Sequence, residues 1–265
     1  RWRMRIALFD SGIGGLTVLS HARRVLPSEE FIFFADRDHV PYGTKSVPAV
    51  RGYVREAFRF LIEKQRADAV VVACNTATSV AVDEMRRLYD VPIIGMEPAV
   101  KKALEQDSER RVLVTATPIT INGEKLHRLV SAYDTNGLVD LLALPRLVEF
   151  AERREFVSAC VEEYLWNALA PYDLLKYSAI VLGCTHFNYF KDTLRRLLPK
   201  TVSFVDGNEG TIEELARRTG LTTALAEERT APCRFFESGR AVTGTESLAR
   251  IESYLARAAR MEEIV

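Results

Sequence analysis

The chain has 265 residues, 48% of them hydrophobic and 27% charged, enough apolar material for one large domain or two small ones. Lys plus Arg equals Asp plus Glu at 36 each, so no global basic field exists to draw nucleic acid. No apolar run is long enough to span a bilayer, and the opening RWRMRIALFD lacks the apolar core of an export signal. The four cysteines, Cys74, Cys160, Cys184 and Cys233, form no CxxC pair, so the expectation is a cytoplasmic protein with reduced thiols.

Short β-branched apolar runs alternate with longer amphipathic stretches. Arg5–Phe9 reads as a strand, ends at Asp10, and meets the glycine-rich DSGIGGLTV, where a helix opens near Gly14. Phe31–Ala35 ends at Asp36 and is followed by the turn Val40–Gly43. A helix from Val47 carries Val50, Val54, Ala57, Phe58 and Leu61 at helical spacing. Ala69–Ala73 runs into Cys74 and a helix near Thr76; Pro92–Gly95 runs toward Glu97 and a helix near Pro98. Val112–Val114 precedes Thr115 and Thr117, with a helix near Asn122; Val139–Ala143 precedes one near Phe150. Ala179–Leu182 runs to Cys184 with a helix near Tyr189, and Val202–Val205 runs to Asp206 with a helix near Glu209. A short RFFES strand and a helix from Thr245 follow.

Continuously apolar strands suit a sheet covered on both faces, and strand–helix alternation means parallel strands. The polar residues then gather at the carboxyl ends of strands, where open α/β sheets bind ligands. Cys74 and Cys184 share a strand–Cys–Thr–helix context, and IALFDSG and VLVTATP form a second matched pair. The reading is two similar α/β domains with mostly parallel sheets and an active site in the cleft between them. Residues 1–96 with 207–265 form the first domain and 97–206 the second.

The glycine loop has neither GxGxxG spacing nor a following GK[ST], so a nucleotide reading is weak. Its free N–H groups suit an anion, and Asp10 or Ser11 equally suits an ordinary helix cap. Cys74 at a helix start predicts a lowered thiol pKa. A buried free Cys is often only a small hydrophobe, but two matched placements argue against that for Cys74 and Cys184. Cys160 and Cys233 take the bland reading. His186, two residues after Cys184, can take or return a thiol proton or hold a ligand carboxylate. His21, His39 and His127 have no such neighbour and read as structural or solvated. Two other classes stay open on the residues alone. One is a zinc site of Cys74, Cys184, His186 and an Asp; the other is a non-catalytic two-lobe amino-acid binding protein.

Taken together, FDSGIGGLTVL, ADRDHVPYGTKS, VVACNTAT and VLGCTHF resemble, in order and spacing, the glutamate racemase family over nearly the whole chain. The resemblance implies cofactor-independent, metal-free, two-base proton transfer at Cα. That reaction interconverts L- and D-glutamate and supplies D-glutamate for peptidoglycan. It makes Cys74 the thiol for D-glutamate and Cys184 the thiol for L-glutamate, with Asp10 assisting the first and His186 partnering the second. Substrate contacts carry over to Asp10, Ser11, Tyr42, Gly43, Asn75, Thr76, Thr185 and His186. Asp36 lies near the site, and Thr117 and Thr120 match a Thr-containing loop. Glu152, in LPRLVEFAE, matches an assisting glutamate, although Leu144 stands where Cys is common and Glu149 where Pro is common. FNYFKD replaces a frequent Tyr-Pro-Leu after GCTH. Thr76 and His186 favour glutamate over aspartate or another amino acid as substrate. The implied partner is the small-molecule substrate, with neither nucleic acid nor membrane, and a homodimer is compatible with the family.

Overall fold

The computed structural model describes residues 3–226 and 231–265. Its strands are β1 (Arg5–Asp10), β2 (Glu30–Ala35), β3 (Ala69–Val72), β4 (Ile93–Gly95), β5 (Arg111–Ala116), β6 (Val139–Ala143), β7 (Tyr177–Leu182), β8 (Ser203–Val205), β9 (Cys233–Glu237) and β10 (Arg240–Ala241). One sheet has the order β10-β9-β2-β1-β3-β4 and the other β6-β5-β7-β8. Every neighbouring pair is parallel except the β9–β10 hairpin.

The two sheets repeat one plan. β2-β1-β3-β4 and β6-β5-β7-β8 use the same order, so β1 corresponds to β5 and β3 to β7. Cys74 follows β3 and Cys184 follows β7, at equivalent points of the repeat. β3 and β7 are buried along their whole length, as strands with helices on both faces must be.

The helices are α1 (Leu16–Val25), α2 (Val47–Phe58), α3 (Asn75–Leu88), α4 (Val100–Gln106), α5 (Pro118–Asn122), α6 (Glu124–Tyr133), α7 (Pro145–Glu152), α8 (Ala159–Leu169), α9 (Lys191–Leu197), α10 (Asn208–Thr219) and α11 (Thr245–Glu262). Three expectations change. Thr115 lies inside β5, and its hydroxyl donates to the Val181 carbonyl at 2.7 Å across the sheet. The helix expected near Asn122 is two, α5 and α6, divided at Gly123, because Pro118 opens the first with its fixed φ. The helix expected from Phe150 is α7, which Pro145 starts five residues earlier, and then α8. Between them Arg154 takes a left-handed φ of 60°, and the Ser158 hydroxyl caps α8 by accepting from Val161 N.

Both chain ends build the first sheet. β9 pairs in parallel with β2, from Phe31↔Cys233 to Ala35↔Glu237. α11 packs on α1 and on the short 3-10 segment Thr185–Phe190 that follows β7. There one apolar core runs continuously between the halves, joining Leu16 and Leu19 to Phe187, Tyr189, Phe190 and Tyr254, all essentially unexposed. Each such side chain contributes about 1.5–3 kcal/mol on burial. On the opposite side the halves are separated by a groove of about 810 Å³ between α2–α3 and α5–α6.

Candidate active site

The carboxyl ends of β1, β3 and β7 bring Asp10, Cys74 and Cys184 to one narrow cavity. Asn75, Thr76, Thr185 and His186 enter it from the starts of the segments that follow the two thiols. Ser11, Tyr42, Gly43 and Thr117 complete the wall, with Pro41 of the turn Val40–Gly43 and with Val148, which sequence reasoning missed. The cavity has about 10 Å³ of free space, no more than one water occupies.

Cys74 caps α3: its Sγ accepts from Ala77 N at 3.4 Å. Burial, with the Asp10 carboxylate adding to it, pushes the Cys74 thiol up; the Ala77 N–H and the Ser11 hydroxyl pull the other way and lose. The expected lowering is thus overturned, because removal from water outweighs the helix terminus. Asp10 Oδ2 accepts from Gly15 N at 2.5 Å and from Thr185 Oγ1 at 3.3 Å. Its Oδ1 is buried without a hydrogen-bond partner. Burial raises the Asp10 pKa against the opposing charge of His186.

On the other face Cys184 Sγ lies 3.7 Å from His186 Nδ1. His186 Nε2 lies 2.7 Å from Glu152 Oε1, which also accepts from Ile13 N at 2.8 Å. Burial opposes the imidazolium, yet hydrogen bonds to Cys184 and Glu152 hold the His186 pKa well above its ordinary value.

The glycine loop therefore serves the protein's own carboxylates. Its N–H groups hold Asp10 and Glu152, and its missing side chains let the second half come close. A Cβ on Gly12 would lie 1.9 Å from Glu152 Oε1, and one on Gly14 would lie 2.5 Å from both His186 Nδ1 and Thr185 Oγ1. Gly43 likewise leaves room for Thr117, whose Cβ would be 2.4 Å from a Cβ at 43.

Thr76 and Thr117 share a 2.7 Å hydroxyl hydrogen bond across the halves, and Thr117 donates to Thr120 at 3.3 Å. Asn75 Nδ2 donates to the Met96 carbonyl at 3.3 Å, while its buried Oδ1 has no partner.

Three expected residues stand one layer back. Thr120 backs Thr117, Glu152 backs His186, and Asp36 accepts from the Tyr42 hydroxyl at 2.5 Å. His39, read as structural or solvated, has its Nδ1 2.9 Å from Asp36 Oδ2 and its ring stacked on Tyr53. Its i+3 spacing from Asp36 was the available signal. Ser238, whose hydroxyl donates to Asp36 at 2.7 Å from 202 residues away, gave none. The zinc alternative lacks its ligand set: among the described residues no group of three or more His, Cys, Asp or Glu is gathered for a metal. No helix among them is long and apolar enough to cross a membrane.

A family profile described as Asp/Glu/Hydantoin racemase matches residues 17–215. A protein of Campylobacter curvus named glutamate racemase is 50% identical over 267 residues, spanning 98% of this chain and 100% of its own. A glutamate racemase of Campylobacter concisus is also 50% identical, over 98% of this chain and 100% of its own. The crystal structure of a glutamate racemase isoform from Bacillus anthracis superposes with a TM-score of 0.80 at 30% identity, covering 96% of this chain and 94% of that one. The chain belongs to the Asp/Glu/hydantoin racemase family.

Proposed function

We propose that this chain interconverts L- and D-glutamate by two-base proton transfer, with Cys74 and Cys184 as the two bases and no cofactor. The observation that carries the reading is the pair of thiols. They come from equivalent strands of a repeated fold, face one cavity, and have separate polar partners. The two glutamate racemases at 50% identity support glutamate as the substrate.

An amino-acid Cα–H is a very weak acid, so the developing negative charge needs donors fixed in place beforehand. Asn75, Thr76 and Thr185 supply amide, hydroxyl and backbone donors for the substrate carboxylate. The unpartnered Asp10 Oδ1 is an acceptor suited to the substrate ammonium. From D-glutamate, Cys74 passes its thiol proton to the Asp10 carboxylate and, as thiolate, takes the Cα proton, while the Cys184 thiol delivers its own to the opposite face. L-glutamate then departs, leaving Cys184 as thiolate. From L-glutamate the roles exchange. His186 stabilises the Cys184 thiolate, and Glu152 keeps the imidazole charged and oriented. Asp10 assists Cys74, while Thr117, Thr120 and Asp36 hold the wall.

A cavity the size of a water does not admit glutamate, so the two halves part for entry and close for the chemistry, expelling water. The groove shares Gly43 with the cavity, which supports it as the way in. The two sheets support a division into residues 1–96 with 207–265 and residues 97–206. Supply of D-glutamate to peptidoglycan, a cytoplasmic site of action and a homodimer belong to the same reading.

The test is circular dichroism of each glutamate enantiomer with wild type, Cys74→Ala and Cys184→Ala, without added cofactor. Decay of both signals with wild type and their persistence with either variant is the expected result. Full racemisation by either variant would refute the two-thiol mechanism.

A further inference from the structure

The Tyr42 wall of the cavity is anchored from an unexpected direction. Tyr42 is 1% exposed and opens a short 3-10 turn, Tyr42–Thr44, that also presents Gly43 to the cavity. Its hydroxyl donates to Asp36 Oδ2, and burial keeps that phenol protonated, hence a donor.

Asp36 is itself 4% exposed and has three neighbours of this kind. Besides Tyr42 they are His39 and the Ser238 hydroxyl, the latter 2.7 Å from Oδ1. Ser238 belongs to the turn between β9 and β10. The parallel register that sets Ala35 against Glu237 brings it level with Asp36, and its N–H donates to the Ala35 carbonyl at 2.8 Å. Its hydroxyl also accepts from Asp38 N at 3.1 Å. The hydroxyl is thus held in place at both ends. Ser238 takes this place with a φ of +45°, a conformation an L residue seldom adopts, although glycine follows at 239. A glycine at 238 would suit the backbone better; what it would lack is the hydroxyl.

We infer that Ser238 is a positioning residue for the substrate pocket: its hydroxyl fixes the Asp36 carboxylate in the orientation that takes the Tyr42 hydroxyl, and so holds Tyr42 and Gly43 against the cavity. This deepens the racemase reading and rests on it for the kinetic consequence. Ser238 touches neither the cavity nor either thiol, so its effect falls on substrate binding rather than on the proton-transfer step.

The experiment uses the full chain with Ser238→Gly, Ser238→Ala, Tyr42→Phe and the double variant Ser238→Gly/Tyr42→Phe. Loss of one buried hydrogen bond weakens the anchor, so KM for both enantiomers rises about five- to tenfold in Ser238→Gly, with kcat within about twofold of wild type. Ser238→Gly melts no lower than wild type, because glycine relieves the backbone. In the Tyr42→Phe background the Ser238→Gly substitution has no further effect, since the hydroxyl it acts through is gone. A readout independent of racemisation is the Tyr42 hydroxyl proton, buried and bonded to a carboxylate. Its resonance lies downfield of the amides in wild type, is absent in Tyr42→Phe, and moves in Ser238→Gly and Ser238→Ala. Wild-type KM in Ser238→Gly, multiplying penalties in the double variant, or an unmoved resonance would each overturn the inference. A wild-type chain that leaves glutamate unchanged, with the resonance behaving as described, would instead refute the racemase reading and leave the Ser238–Asp36–Tyr42 anchor standing.

Discussion

Replacing Glu152 by Gln removes one charge and leaves the shape intact. Glu152 Oε1 lies 2.7 Å from His186 Nε2 and 2.8 Å from Ile13 N, in a pair whose side chains are 15% and 2% exposed. A hydrogen bond to a charged group contributes about 1.5–3 kcal/mol. Losing that hydrogen bond lowers the His186 pKa toward its ordinary value. The Cys184 thiolate loses its cationic neighbour accordingly, and kcat/KM falls about 10- to 100-fold. The two enantiomers have equal free energies, so kcat/KM must fall by the same factor in both directions. Any asymmetry appears only in kcat and KM separately. Circular dichroism progress curves from each enantiomer measure the fall, and NMR titration of the His186 ring measures its pKa. Stability carries the same signature. A histidine whose folded pKa is raised stabilises the fold fully below its unfolded value, and that stabilisation is lost as pH rises through the folded one. The gap between wild type and Glu152→Gln is therefore widest below about pH 6.5 and closes on the alkaline side. An unchanged His186 titration, or activity within about twofold of wild type, would refute this reasoning.

Gly12→Ala and Gly14→Ala test the close approach of the two halves. A Cβ at 12 displaces the Glu152 carboxylate from His186 and Ile13 N, so activity and stability both fall about as far as in Glu152→Gln. A Cβ at 14 also meets the backbone N of His186 at 2.7 Å, so this variant loses about 1–3 kcal/mol of stability as well, read by urea melts. For Cys74 the raised thiol pKa predicts alkaline destabilisation. Above the free-thiol value of about 8.5 the unfolded chain sheds the proton and the folded one keeps it, costing up to about 1.4 kcal/mol per pH unit. Melts across pH 8 to 10 should show a slope shallower by that amount in Cys74→Ala; equal slopes would contradict the burial argument.

Strand ends and thiols were legible because their signals are local. AVVVACN and AIVLGC each place a thiol at or just beyond the end of an apolar β-branched run, and doing so twice exposed the repeat. The Cys74 pKa was misjudged for the converse reason. The helix start at Asn75 is visible in sequence, whereas complete burial is a property of two assembled halves. The glycine loop was read as a holder of anions, but its anions turned out to be Asp10, five residues away from Gly15, and Glu152, 139 residues from Ile13. Pro145 as a helix start was readable in principle; the neighbouring apolar residues Leu147, Val148, Phe150 and Ala151 continue the same face of α7. Ser238 was not readable, because its role depends on the β2–β9 register.

That register also orders events during synthesis. β5 to β8 come from one unbroken stretch of chain, whereas β2 keeps an unpaired edge until β9, some 200 residues later, has left the ribosome. The nascent first sheet therefore waits with an open hydrogen-bonding edge of Phe31–Ala35, a template for pairing with other chains. Translation of residues 231–262 closes that edge and lays α11 over the joint between the halves. The polypeptide thus carries an aggregation-prone edge from the synthesis of β2 until β9 pairs with it.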